Sequence, residues 1–174
     1  MNVFIRVAGI GMMAAAFLSA STAPAQDRSK EEGAREDKKA APTDDKQVYR
    51  NVVPEKLEAI LMAMKIDYKK VKGKADGIWF YDFERNDYKI RLHNYQGNDL
   101  WIDAHFNDKL PLEEVNKWNV RAKFSRAVQL TSGKQTVSLE SQIDCVGGVT
   151  DGIIRQFIQR FDGELMQFSK FLSK

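Results

Sequence analysis

The sequence predicts an α+β protein in which helices flank an antiparallel β-sheet, in the order α-β-β-β(-β)-α-β-β-α. Apolar residues recur at helical spacing just after residue 54 and again over the last 25 residues. Between them, short runs rich in aromatic and β-branched residues are separated by turn-forming residues. No internal repeat interrupts this order, so one domain accounts for it.

The first 25 residues have the pattern of a cleaved signal peptide. Arg6 supplies a positive charge, residues 7–20 are an apolar core, and Ala23-Pro24-Ala25 offers the small residues that a signal peptidase reads. The apolar run is shorter than the roughly 20 residues that a transmembrane helix needs. We therefore expect export to the bacterial periplasm, with no integral membrane segment after cleavage.

Residues 26–50 have the composition of a charged, disordered tether. They contain seven acidic and seven basic residues, with only Val48 and Tyr49 as larger apolar side chains. Such a segment cannot bury enough apolar surface to offset its ordering entropy, although a short helix over residues 30–40 is compatible with its composition. The α+β domain should then comprise residues 51–174, a length that can bury its own core.

The first half of the domain predicts a helix followed by a meander. Pro54 stands where a first helical turn tolerates proline, and the apolar positions that follow at helical spacing are Leu57, Ile60, Leu61 and Met64. A short strand candidate at 68–72 precedes the glycines at 73 and 77. Stronger strands are predicted at 78–83, 88–95 and 100–106, divided by the turn-forming stretches ERND and QGND.

The second half predicts a helix, a hairpin and a long helix. Leu110-Pro111 closes the meander, and a helix over 112–122 places Val115, Trp118 and Ala122 on one stripe. Strands at 128–130 and 136–145 form a hairpin across TSGK, where Gly133 can adopt a positive φ. In the later strand, Val137, Leu139, Ser141, Ile143 and Cys145 should face the core, and Thr136, Ser138, Glu140, Gln142 and Asp144 should face water.

The last helix has the strongest pattern. Thr150 is a suitable N-cap, Asp151 lies in the first turn, and the apolar face comprises Ile153, Ile154, Phe157, Ile158, Phe161, Leu165, Phe168 and Leu172. The preceding Gly147-Gly148 pair could in principle hold an anion at the helix N-terminus. No G-x-G-x-x-G or Walker lysine follows, and Asp151 would repel a phosphate, so we interpret the pair as a strand-to-helix corner.

Charge and cysteine content exclude some functions. The formal net charge of +3 falls to +2 without Arg6, a mild excess and not the concentrated basic stripe of a nucleic-acid reader. Cys145 is the only cysteine, so no intramolecular disulfide can form. We interpret it as a small buried strand residue, with a redox or intermolecular thiol as the alternative.

The candidate binding residues follow from strand pairing. If QGN is a three-residue loop, Ile90 and Leu92 share a face with Ile102 and Ala104. The opposite face then carries the candidate binding residues Arg91, His93, Tyr95, Trp101, Asp103 and His105. Aromatic side chains mixed with cations fit a partner surface, and extra packing over Trp101 is the alternative. Whether Trp79 or Phe80 faces inward depends on the length of the ERND turn.

The histidines do not predict a metal centre or a catalytic site. His93 and His105 are accompanied by Asp103, but a metal site wants a further ligand, and Asp99 lies too far along the strand. No nucleophile stands at a recognisable spacing from a base. We therefore predict that the protein is not an enzyme and has no catalytic residues, metal or cofactor.

The order of elements, the stretch LEEVNKWNVRAKFSRAVQL from Leu112 and the later GGVT together resemble the YbjN family over residues 52–172. The most specific parts are Trp118-Asn119, Arg126-Ala127 and the run 147–150. Proteins of that family are described as bacterial sensory-transduction regulators, and their fold is similar to that of type III secretion chaperones. The resemblance implies no catalytic residues, and the secretion signal argues against a cytoplasmic regulatory role.

These observations favour a non-enzymatic, exported binding or regulatory module of chaperone-like fold. Its partner would be a protein or peptide, a second copy of the chain included, held by a sheet face or a sheet edge. The alternative is a small-ligand sensor or an uncharacterised enzyme with a pocket between the long helix and the sheet.

Overall fold

The computed structural model describes residues 45–130 and 136–173, and it confirms the predicted fold class and element order. The elements are α1 (Pro54–Ala63), β1 (Lys69–Lys72), β2 (Ile78–Arg85), β3 (Tyr88–Tyr95), β4 (Asp99–Phe106), α2 (Leu112–Arg121), β5 (Arg126–Leu130), β6 (Thr136–Asp144) and α3 (Asp151–Leu172). The predicted signal peptide, the possible helix at 30–40 and the turn at Gly133 lie outside the described residues.

All six strands form one antiparallel sheet, in the order β1-β2-β3-β4-β6-β5. The edges of the sheet are therefore β1 and β5, and β6 crosses over to lie between β4 and β5. The consecutive hairpins β2-β3 and β3-β4 explain why the predicted meander is correct, because short turns bring neighbouring strands together directly.

The β2–β3 turn decides which face of β2 is buried. Arg85 pairs with Tyr88, so the turn has only two residues, Asn86 and Asp87, and both have positive φ values of 50° and 67°. This is the conformation that a two-residue hairpin favours. As a result Trp79 lies on the same face as the buried Tyr81, and Phe80 lies on the opposite face.

One face of the sheet packs against all three helices. The buried apolar side chains of α1, α2 and α3 belong to the same cluster as those of the strands, and we call the strand face that supplies them the core-side face. Trp118 of α2 is 1% exposed and packs edge-on against Phe168 of α3, with ring centroids 4.9 Å apart. The interior between α3 and the sheet is thus filled by apolar side chains.

The long helix begins and packs largely as predicted. The Thr150 hydroxyl accepts a hydrogen bond from the Ile153 amide at 3.3 Å, which confirms the N-cap. Six of the eight predicted apolar residues are buried, and Leu172 is half-buried at the helix end. Ile153 is 42% exposed, so its assignment to the buried face was wrong: its neighbour Ile154 takes the core-facing position of this turn and is fully buried.

The prediction that one face of β6 is exposed to solvent is also wrong, at the centre of the strand. Ser138 is fully buried and Glu140 is only 7% exposed, although Gln142 and Asp144 are exposed as expected. Both residues lie on the face opposite the core, between β4 and β5, where the side chains of two neighbouring strands cover them. An alternating pattern alone does not reveal this shielding.

The strand-to-helix corner is confirmed at Gly148. Its φ is +104°, a value that favours glycine, and its amide donates to the Cys145 carbonyl oxygen at 2.9 Å. A Cβ on this residue would approach the Val48 side chain to 2.8 Å, whereas a Cβ on Gly147 would meet open space. The corner therefore needs only one of the two glycines.

Packing of the domain begins before residue 51. Tyr49 and Val149 exchange two backbone hydrogen bonds of 2.7 and 2.8 Å. Val52 is fully buried, its amide donates to the Gly97 carbonyl oxygen, and its own carbonyl accepts from the Asn94 side chain. Residues 49–52 thus join the corner before α3 to the loop between β3 and β4.

Asn119 closes one edge of the sheet. Its side-chain amide donates to the Ala127 carbonyl oxygen at 3.0 Å and accepts from the Ala127 amide at 2.7 Å. The side chain therefore imitates a neighbouring strand for one residue of β5.

Among the residues that the structure describes, no helix is long and apolar enough to cross a membrane.

Candidate binding face

The six candidate residues lie together on the face of the sheet opposite the core, which we call the outer face. Arg91 pairs with Asp103, His93 pairs with Trp101, and Tyr95 pairs with Asp99, so the QGN loop has the three residues that the prediction assumed. Ile90 and Leu92 lie opposite Ala104 and Ile102 on the core-side face, as predicted. The register thus brings the whole predicted set side by side.

Asp103 connects the two histidines. One carboxylate oxygen lies 2.5 Å from His93 Nε2 and the other lies 2.6 Å from His105 Nε2. The Tyr95 hydroxyl is 3.3 Å from His93 Nδ1, so both nitrogens of that ring have a polar neighbour. Asp103 itself is 5% exposed, which makes it a buried anchor that orients two rings at the surface.

Three aromatic rings surround His93 and form a cluster with it. His93 stacks on Trp101 at 5.5 Å and on Tyr95 at 5.7 Å between ring centroids, and Phe80 meets it edge-on at 5.0 Å. The Arg91 guanidinium lies 5.2 Å above the Phe80 ring. Each of these rings is only partly buried. Phe80 joins the cluster because the β2–β3 turn has two residues, which the sequence alone left open.

Charged side chains continue the outer face beside the aromatic cluster. Arg91 donates two hydrogen bonds of 2.6 and 2.9 Å to the carboxylate of Asp82. This hydrogen bonding lowers the pKa of Asp82 and raises the pKa of Arg91. The pair is half-exposed. Its main effect is to position the Arg91 guanidinium, since a bidentate contact fixes where that group lies.

On the other side of Asp103, Glu140 is its register neighbour on β6, and Arg126 of β5 approaches Glu140 to 3.6 Å. Burial raises the pKa of Glu140, and the nearby Arg126 charge opposes that rise. One register row therefore carries a charged residue on all six strands. In sheet order, the row is Lys69, Asp82, Arg91, Asp103, Glu140 and Arg126.

Two depressions flank the row. One has a volume of about 610 Å³ and is lined in part by Glu84, Arg91 and His105. The other, of about 250 Å³, lies beside Trp101 and Gln142 and is bounded by residues 123–126. Both open to solvent along the sheet, so the outer face has relief that a bulky surface could fit.

The remaining groups to consider are possible metal ligands and the single thiol. Within residues 45–130 and 136–173, no group of three or more His, Cys, Asp or Glu side chains is arranged to hold a metal ion. Cys145 is fully buried at the end of β6, and burial raises the pKa of its thiol to about 11. Its interpretation as a small buried residue is confirmed, and such a thiol is a poor nucleophile.

Comparison with known proteins shows the fold. No protein-family model matches this chain, and no curated protein matches it either. Among solved structures, it is similar to YbjN from E. coli, described as a proposed transcription regulator. The identity is 13%, the TM-score is 0.51, and the match covers 70% of this chain and 91% of that one.

This likeness defines the class of fold. The protein has an α+β fold in which a six-stranded antiparallel sheet packs against three helices. The fold is YbjN-like, as the sequence motifs predicted, and the side chain of Asn119 in one of those motifs hydrogen-bonds the backbone of Ala127 in another.

Proposed function

We propose that this chain is an exported, non-enzymatic binding and regulatory module that holds a protein or peptide partner on its outer face. The single observation that carries the proposal is the aromatic cluster on the face that contributes nothing to the helix-packed core. Surface aromatic side chains surrounded by charged residues have the composition of an interface centre with a polar rim.

The geometry of the cluster suits recognition. His93 is held by Asp103 on one side and by Tyr95 on the other, so its ring has little freedom to lose when a partner binds. Trp101 stacks on that ring and borders an open depression. Rings that are already oriented reduce the entropy lost on association, which raises affinity without additional contact area.

The alternative of a ligand pocket between α3 and the sheet has less support. That interior contains fully buried side chains from both layers, such as Leu139, Ile158 and Phe161. A small molecule would have to displace close-packed apolar groups there. The outer face needs no such rearrangement.

Trp101→Ala tests the proposal, with Val120→Ala as the matched control because Val120 is an 89% exposed apolar residue on α2. A photo-crosslinking residue in place of the exposed Gln142, the register neighbour of Trp101 on β6, should capture a defined partner or a second copy of the chain in living cells. We expect Trp101→Ala to abolish that product and any dimer in sedimentation, with an unchanged far-ultraviolet spectrum. Unchanged partner recovery and sedimentation in Trp101→Ala would contradict the proposal.

Export is tested separately. The mature chain recovered from the producing cell should begin near Gln26, because Ala23-Pro24-Ala25 supplies the cleavage signal. A chain that retains Met1 and stays with the membrane fraction would contradict export and leave the outer-face proposal to its own test.

A further inference from the structure

The edge strand β1 presents free backbone groups. It pairs with β2 and with no other strand that the structure describes, in the register Lys69 to Asp82 through Lys72 to Trp79. Its four residues are Lys-Lys-Val-Lys, and all three lysines are exposed. The opposite edge differs, because Asn119 already occupies both backbone groups of Ala127 on β5.

The outward-facing groups of β1 can be assigned. Gly73, just past the strand, donates its amide to the Ile78 carbonyl oxygen at 2.9 Å. Hydrogen-bonded and non-hydrogen-bonded pairs alternate along an antiparallel ladder. The N–H and C=O groups of Val71 and Lys69 therefore point toward β2, and those of Lys70 and Lys72 point toward the free edge.

Positive charge is concentrated at this edge. The stretch 65–76 contains five exposed lysines and two aspartates, a net charge of +3, which equals the net charge of the whole chain. The lysines are Lys65, Lys69, Lys70, Lys72 and Lys74. The net positive charge of the whole chain is therefore concentrated in this stretch. A basic patch that was not predicted from the sequence lies along β1.

Existing ion pairs leave much of this charge available. Lys70 contacts Glu58 at 2.5 Å and lies 4.1 Å above the Trp79 ring, and Lys72 lies 3.4 Å from Asp76. In the described chain, no ion pair involves Lys65, Lys69 or Lys74. Exposed pairs of this kind contribute little and exchange readily for a better partner.

The edge continues beyond β1. The last register pair is Lys69 with Asp82, but β2 runs on to Arg85. A depression of about 530 Å³ lies there, between residues 65–69 and residues 82–85. The end of an added strand would reach this depression, whose charged lining is mixed, with Lys65, Lys69 and Arg85 beside Asp67, Asp82 and Glu84.

We propose that the edge of β1 is the docking site for an extended acidic peptide, which adds to the sheet as a seventh strand. The free groups of Lys70 and Lys72 supply main-chain hydrogen bonds, and the flanking lysines select carboxylates. A peptide reciprocates both the N–H and the C=O groups of an edge, whereas a nucleic acid or an anionic membrane satisfies the charge alone. The same lysines oppose pairing of two β1 edges with each other.

The inference rests on the proposed binding function but concerns a different surface. The probe is a fluorescent eight-residue peptide of alternating glutamate and valine, titrated against the full chain by fluorescence anisotropy. Two further probes are its lysine-valine counterpart and a version of the acidic peptide with methylated backbone nitrogens. We expect binding of the acidic peptide only, since methylation removes the donors that an added strand needs.

Two sets of variants distinguish the contribution of lysine charge to peptide binding from that of backbone hydrogen bonds. Lys69→Glu/Lys72→Glu should weaken binding at least about tenfold, because attraction becomes repulsion at two sites. The control Lys109→Glu/Lys170→Glu changes the net charge equally at exposed lysines elsewhere and should bind as wild type. Lys72→Pro should bind more weakly than Lys72→Ala, since only proline removes the outward N–H without breaking the ladder to β2.

The outcomes are distinct. The inference would be overturned if the methylated peptide bound as tightly as the unmodified acidic peptide. It would also be overturned if a single-stranded oligonucleotide competed as strongly as the acidic peptide. Either result would show that the edge is a general anion-binding patch. Absence of acidic-peptide binding would overturn it too. In either case, loss of the outer-face partner in Trp101→Ala would still stand, so the two proposals fail independently.

Discussion

Asn119 offers a direct measure of how much one side chain contributes to closing the sheet. Its amide group forms two hydrogen bonds with the backbone of Ala127, at 3.0 Å as donor and 2.7 Å as acceptor. Ala127 is 2% exposed. Asn119→Ala therefore leaves an N–H and a C=O on β5 without the partner that the side chain supplies.

The expected loss follows from these two bonds. An intramolecular hydrogen bond contributes about 0.5–1.5 kcal/mol net, so Asn119→Ala should lower the free energy of unfolding by about 1–3 kcal/mol. Urea denaturation followed by far-ultraviolet circular dichroism should show a midpoint lower by about 1 M with an unchanged slope. Asn119→Asp keeps the acceptor, loses the donor and places a carboxylate oxygen beside the Ala127 carbonyl oxygen, so its loss should include repulsion as well as the missing bond.

Asn107→Ala is the matched control, because Asn107 is exposed and forms no hydrogen bond within the described residues. It should change the free energy of unfolding by less than about 0.5 kcal/mol. If Asn119→Ala lies within the same range as Asn107→Ala, water replaces the side chain at no cost, and the account of how β5 is closed is wrong.

Three further predictions concern the helix end, the cysteine and pH. Truncation after Gly163 removes the fully buried Leu165 and Phe168, which together represent about 3–6 kcal/mol of burial, so the cooperative thermal transition should disappear; a melt at unchanged temperature would refute this. Cys145, with its pKa raised from 9.0 to about 11, should react with Ellman's reagent at pH 8 at least about 100-fold more slowly in the native than in the urea-unfolded chain; equal rates would show that it is accessible. Because burial raises the pKa of Glu140, its protonated carboxyl group stabilises the folded wild-type chain at low pH. This stabilisation is lost as the pH rises through the folded-state pKa. Glu140→Gln should therefore gain stability relative to wild type between pH 4 and pH 8 in urea titrations, and a relative loss over that range would be the opposite sign.

Local patterns predicted the positions of the elements and one important register. Thr150 caps α3 as its residue type suggested, and the three residues of QGN align β3 with β4 so that the outer-face set comes together. Both results depend on short-range geometry, a cap and a tight loop, which a few neighbouring residues determine.

Other residues of the site were not predicted from the sequence. Phe80 could have been assigned to the outer face, because Asn-Asp accepts the two positive φ values of a two-residue turn. Glu140 and Arg126 could not, since their place beside Asp103 depends on β6 crossing to pair with β4. Five lysines within ten residues were also a visible signal of the β1 edge.

By itself, the sequence determined the fold class, the order of the helices and strands, and the apolar face of the last helix, because periodicity and turn chemistry act between near neighbours. The tertiary structure alone decided that Ser138 and Glu140 are buried on the face opposite the core, that Ile153 is exposed, and that the lysines of β1 line an open edge. Those features depend on which distant strand lies alongside, since burial and charge environment are properties of the assembled sheet and not of any one segment.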